Sequence, residues 1–152
     1  MGSIIEAKDK VLTMLTEGMN LKVQVGKENK ISVRFDDLST AVFFNFTEQT
    51  FDGDAAPQAF VHITAPILRN VPPSDKLYKW ISIQGTGFRL GCVEAFETED
   101  GTLFLRYKYV LLADFLDEDE LSTAMWSVLA TANDLDDILQ KEYGGKRWVD
   151  ED

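Results

Sequence analysis

The sequence predicts an α+β domain: an antiparallel sheet of about five to six strands, with the N-terminal and the long C-terminal helix packed on one face, in the order α-β-β-β-β-α-β-β-α. Three observations point there. Apolar residues recur at helical spacing at both ends of the chain. Between the ends run segments in which apolar and polar side chains alternate, the period of a half-buried strand. Turn-forming stretches at Gly26–Asn29 and Thr98–Gly101 join such segments into antiparallel hairpins.

Ser3 with Glu6 three residues later is a capping-box signature. Ile4, Val11, Leu12, Leu15 and Met19 then share one helical face, and Gly18 marks its end. Leu21, Val23 and Val25 alternate with Lys22 and Gln24, and Ile31, Val33 and Phe35 repeat the pattern after the turn. A third strand runs Ala41–Phe46, with Val42, Phe44 and Phe46 on one face and Phe43 on the other. Phe51–Gln58 carries Gly, Pro and Asp and predicts a surface loop. Phe60–Leu68 is the fourth strand, and Pro66 within it argues for an edge position or an early end.

Val71-Pro72-Pro73 stops extended structure, and Ser74 caps a short helix from Asp75 to about Gln84. Gly85 and Gly87 close it, and strands follow at Phe88–Glu97 and Leu103–Leu112. Asp117 and Glu120 open the last helix. Its buried stripe is Leu121, Ala124, Met125, Val128, Leu129, Ala132, Leu135, Ile138 or Leu139, and Tyr143. Residues 1–145 read as one domain. Residues 146–152 read as an acidic tail, polar except for Trp148 and Val149.

Composition excludes much. The 152 residues carry 15 Lys or Arg against 26 Asp or Glu, a net charge of −11, so nucleic acid and anionic membranes are excluded as partners. The longest apolar run, Tyr109–Ala113, is far short of the roughly 20 residues that span a bilayer. Met1-Gly2 begins like an acylation signal, but Glu6 stands where Ser or Thr is required. One cysteine, Cys92, fits a reducing compartment and hence the cytoplasm. One histidine, His62, leaves no zinc constellation.

No motif supports catalytic, cofactor-binding or metal-binding residues, and no cofactor is expected. Asp117–Glu120 complements a helix dipole, and Asp134, Asp136 and Asp137 spread over a solvated helix face. Asp52-Gly53-Asp54 lacks the ligand spacing of a calcium loop. Gly85-Thr86-Gly87 lacks the third glycine of a dinucleotide fingerprint. A Cys92/His62 pair can form only in space, and Cys92 reads as a small buried side chain. Ten Phe, four Tyr and three Trp are generous for one domain. Either both sheet faces are covered, one by a second subunit, or one presents apolar surface to a partner.

Leu77 and Trp80-Ile81, the strand Phe88–Glu97 running into Thr98-Glu99-Asp100-Gly101-Thr102-Leu103, and Arg106-Tyr107 with Leu111 carry a resemblance. So do Leu116-Asp117-Glu118-Asp119-Glu120-Leu121, Leu135-Asp136-Asp137 and Gly144-Gly145. Through them the whole chain resembles the YbjN-like family within the type III secretion chaperone-like fold. The resemblance implies a bacterial, non-enzymatic and usually homodimeric protein that holds an unfolded client segment, partly by adding its strand to a sheet edge.

The expected function is therefore a chaperone-like holder of a protein client. Phe60, Val61 and Ile63 on the Pro66-marked edge, with Phe43 on the less protected face, are the expected contacts. Ile63→Asp is then expected to abolish binding without unfolding. The alternative is a regulatory or assembly factor that binds a basic partner through its acidic surface, with salt-sensitive affinity.

Overall fold

Side-chain caps start each of the three α-helices. The computed structural model describes residues 3–53 and 56–151, so Met1, Gly2, Asp54 of the calcium-like stretch, and Asp152 lie outside the described residues. Ser3 Oγ accepts the Glu6 amide at 3.0 Å and begins α1, Ile4–Thr13, which continues through a π turn at Met14–Gly18. Ser74 Oγ accepts from Leu77 at 3.1 Å and begins α2, Asp75–Ile83. Asp117 Oδ1 accepts from Glu120 at 2.8 Å and begins α3, Glu118–Tyr143. Each cap satisfies a donor that the first turn leaves unpaired, worth about 1 kcal/mol.

The strands are β1 Gln24–Val25, β2 Ile31–Arg34, β3 Ala41–Gln49, β4 Gln58–Val71, β5 Cys92–Glu97 and β6 Leu103–Leu112. They form one antiparallel six-stranded sheet in the order β1-β2-β3-β4-β6-β5. The register sorts side chains between two faces. Phe44 pairs with Ile63 and Ile63 with Tyr109, on the face that α1 and α3 cover. Phe43, Asn45 and Thr47 pair with Thr64, His62 and Phe60 on the opposite, open face. The core lies between sheet and helices, where Val11, Leu15, Phe44, Ile63, Leu105, Leu121, Met125 and Leu129 are fully buried. Burial of each such side chain contributes roughly 1.5–3 kcal/mol. Fold class and element order are those the sequence predicts.

Four local expectations are corrected. First, β4 is not an edge: it is the 14-residue strand between β3 and β6. Pro66 is tolerated there because the β3 ladder stops at Thr64 and the β6 register shifts between Pro66 and Leu68. The Pro66 carbonyl is taken instead by Thr40 Oγ1, at 2.6 Å. Second, β5 begins at Cys92 rather than Phe88. Gly91 has φ +91°, and a side chain there would meet the Lys108 carbonyl oxygen at 2.3 Å, so only glycine fits this close approach to β6, and the strand ladder begins one residue later. Cys92 itself is half-buried rather than buried.

Third, β1 is only two residues long; Leu21 and Val23 lie against the core without a strand partner. Fourth, Asp136 is fully buried while Ile138 is 59% exposed, so the inner stripe of α3 runs Ala132, Asp136, Leu139. Asp136 stands four residues after Ala132 and three before Leu139, the spacing of the buried face.

The closing segment folds back onto the sheet. Lys146 and Arg69 exchange two backbone hydrogen bonds of 2.8 Å. Asp150 accepts from Gln140 at 3.0 Å and from Arg147 at 3.1 Å. The Arg147 side chain and then its backbone amide hold the Asp150 carboxyl down at about 2.

Candidate functional site

Because β5 begins only at the pair Cys92↔Lys108, the last four residues of β6 have no strand on their outer side among the described residues. Tyr109–Leu112 pair with β4 through Ile63, His62, Val61 and Phe60. Among the described residues, no strand covers the other edge of that stretch. On the helix side of this uncovered edge lies a cavity of about 410 Å³, lined by Leu90, Tyr109, Leu111 and Ala124 and bounded by Thr123, Asp119 and Glu120 of α3. On the open side, Val110 and Leu112 stand opposite His62 and Phe60. Leu112 is 44% exposed, and Phe51 packs edge-on against Phe60 with centroids 5.9 Å apart. A strand laid beside Tyr109–Leu112 would alternate its side chains between the cavity and this apolar shelf.

Tyr107 holds the inner end of the gap. Its hydroxyl donates to the Leu90 carbonyl at 2.5 Å, and Phe88 packs edge-on against its ring at 5.3 Å. Burial pushes the Tyr107 phenol up to about 12, so it remains a neutral donor. The 88–91 loop is thus tied to β6 beside the gap without filling it.

The open face carries its own chemistry. Arg106 and Lys108 both pair with Glu94, Lys108 Nζ at 2.9 Å. Burial pushes the Glu94 carboxyl up, but hydrogen bonds from Lys108 and Arg106 outweigh it and hold the group below the usual range. His62 bonds through Nε2 to Thr47 Oγ1 at 2.7 Å. Burial, and then the Lys108 and Arg106 charges, hold its imidazole below the ordinary value. Trp148 packs edge-on against Phe43, with centroids 5.5 Å apart.

The structure separates the four contact residues inferred from sequence. Phe43 and Phe60 are half-buried on the open face, whereas Val61 and Ile63 are fully buried under the helices. Sequence reasoning missed Tyr109–Leu112, Leu90, Arg106 and Trp148. Gly91 was the signal: a glycine within an apparent strand marks a bend or close backbone approach. The register sets Cys92 opposite Lys108 and His62 opposite Val110, and the imidazole bonds to Thr47 rather than to the thiol. Among the described residues, no group of three or more His, Cys, Asp or Glu side chains is placed to hold a metal ion. No helix among them is long and apolar enough to cross a membrane.

A protein-family model described as T3SS (YopN, CesT) and YbjN peptide-binding chaperone 1 matches residues 6–151. No curated protein is similar enough to this chain to count as a match.

Proposed function

The chain belongs to this family of peptide-binding chaperones, and on that premise we propose that it holds an extended segment of a client protein, without catalysing a reaction on it, by adding the segment as a strand to the uncovered edge of β6. The observation that carries the reading is the late start of β5, at Cys92. It leaves Tyr109–Leu112 with one free edge directly beside an apolar cavity of about 410 Å³. Backbone hydrogen bonds would supply affinity independent of sequence, and alternate side chains entering the cavity would supply selectivity. Phe60 beside Leu112, and Phe43 further along the open face, are the proposed additional contacts; Val61 and Ile63 support the surface from behind. The reading includes a homodimer in the cytoplasm, in keeping with the acidic composition and the lone Cys92.

The second reading, an acidic surface that recruits a basic partner, has a specific observation in its favour: Asp119 and Glu120 border the same cavity. A client segment carrying Lys or Arg near its apolar residue would satisfy both.

Suppression of light scattering from reduced insulin tests the edge reading. Wild-type protein is expected to delay aggregation. Thr123→Trp, which places a large side chain over the cavity from an exposed helix position, is expected to weaken protection about tenfold, a loss of about 1.4 kcal/mol, with Tm unchanged. Protection that survives this substitution would overturn edge docking. Apolar docking persists in about 0.5 M salt, whereas recruitment through the acidic surface is lost there.

A further inference from the structure

The open face of the sheet has a charge opposite to that of the whole molecule. Arg34 on β2, Arg106 and Lys108 on β6, and Lys30 just before β2 lie on this side of a chain of net charge −11, and Glu94 on β5 pairs with Arg106 and Lys108 alone among them. Glu94 does not neutralise them, since two cations share its one carboxylate. Arg106 uses only Nε in that pair, and its guanidinium lies over the Phe96 ring at 4.5 Å from the centroid. Among the described residues, its two terminal nitrogens donate no hydrogen bond. The group is therefore fixed in place with a bidentate donor edge unused.

Beside this guanidinium is a cavity of about 260 Å³. Phe43, Phe104 and Trp148 supply its aromatic lining, Asn45 a polar side chain from the sheet, and Lys30 and Arg106 its charge. Drug-sized ligands occupy cavities above about 300 Å³, so this one suits a single side chain. Rings favour edge-to-face neighbours, and Phe43 and Trp148 already meet that way. An aromatic box often receives a cation, but here two cations border it and repel a second positive group. The complementary occupant is an aromatic side chain with a carboxylate next to it.

We propose that this face binds an acidic peptide segment, one aromatic side chain filling the cavity beside Trp148 and an adjacent carboxylate bridging Arg106 and Lys30. The proposal rests on the peptide-binding reading and deepens it: the β6 edge and the open face become two subsites of opposite charge preference. The closing segment takes a direct part, because the Lys146–Arg69 bridge and the Asp150 bonds fix the tryptophan over the sheet.

The test follows the Trp148 indole N–H by NMR in the full-length labelled chain, its resonance identified by Trp148→Phe. The probes are the blocked peptide acetyl-Glu-Asp-Phe-Glu-amide and its basic counterpart acetyl-Lys-Lys-Phe-Lys-amide. The acidic peptide is expected to move the Trp148 resonance and the basic one to leave it in place. Arg106→Gln is expected to weaken the acidic peptide about tenfold, as for the loss of a bidentate charged pair. The exposed Lys30→Gln serves as a second variant, free of the Glu94 network, with an expected loss of about threefold.

No shift at millimolar acidic peptide, an equal response to the basic one, or undiminished affinity in both variants would overturn the proposal. A Trp148 resonance that moves with protein concentration alone would assign the face to a second copy of the chain, and would overturn it too. Thr123→Trp is expected to leave the titration intact. Loss of the titration with insulin protection retained counts against this inference alone, and the converse against the edge reading alone.

Discussion

Asp136 shows how one residue sets a pH dependence. It is fully buried, accepts from the Ser39 hydroxyl, and among the described residues its Oδ1 has no hydrogen-bond partner. Ser39 also bonds to Asn133 Oδ1 at 2.8 Å, so one hydroxyl proton faces two acceptors. Burial raises the Asp136 carboxyl above its ordinary value, with Asp137 adding to the shift and the Ser39 bond opposing it. A raised carboxyl pKa favours the protonated folded state. Its stabilising effect is complete below the unfolded value of about 3.9 and is lost as pH rises through the folded pKa. Asp136→Asn, able to donate to Ser39, is expected to stabilise the protein at pH 7 by about 1 kcal/mol, or roughly 2–4 °C in Tm. The gain should vanish in thermal melts near pH 3.5; a uniform gain at both pH values would contradict ionisation as its origin. The residue type pointed to solvent while helical phase pointed to the core, and phase prevailed because Ser39 supplies a partner.

At the scale of elements, the sequence displayed which strands exist but not which of them is central. The alternation of Val42, Phe44 and Phe46, and the caps Ser3, Ser74 and Asp117, are local signals, and each is realised. Strand order is a long-range property, and Pro66 was a misleading local cue because its missing N–H falls where the β3 ladder has ended. Ile63 consequently lies in the core of β4. Ile63→Asp is expected to cost more than about 4 kcal/mol and remove cooperative unfolding. A sharp, near-native thermal transition in that variant would show that the interior placement of β4 is wrong. The candidate edge was less legible still, since it is made by a strand that starts late, and only Gly91 hinted at that start.

For the whole molecule, composition anticipated an acidic surface but not its partition. Arg34, Arg106 and Lys108, distant in sequence, are brought by strand register onto one sheet face, a convergence that no linear spacing reveals. The closing segment was likewise legible only as polar residues with Trp148 and Val149 among them. We expect residues 1–145 to fold without it. Deletion of residues 146–152 removes the Lys146–Arg69 bridge and the Phe43–Trp148 contact, and should lower Tm by a few degrees, or about 1–2 kcal/mol. Dye binding to the uncovered Phe43 should rise in step. An unaltered melt would mean that the segment adds nothing to the fold.

The short β5 has a consequence for the colloidal behaviour of the protein. A bare strand edge is a template for any other bare edge, including the same one on another molecule, and apolar Tyr109–Leu112 contains no charged residue of its own to discourage that pairing. What keeps two such edges apart is the repulsion between molecules of net charge −11, helped locally by Asp119 and Glu120. That protection titrates away near the sequence pI of about 4.5. Acidification, rather than heat, is then the condition under which two copies would pair through these edges into a closed, sheet-to-sheet dimer.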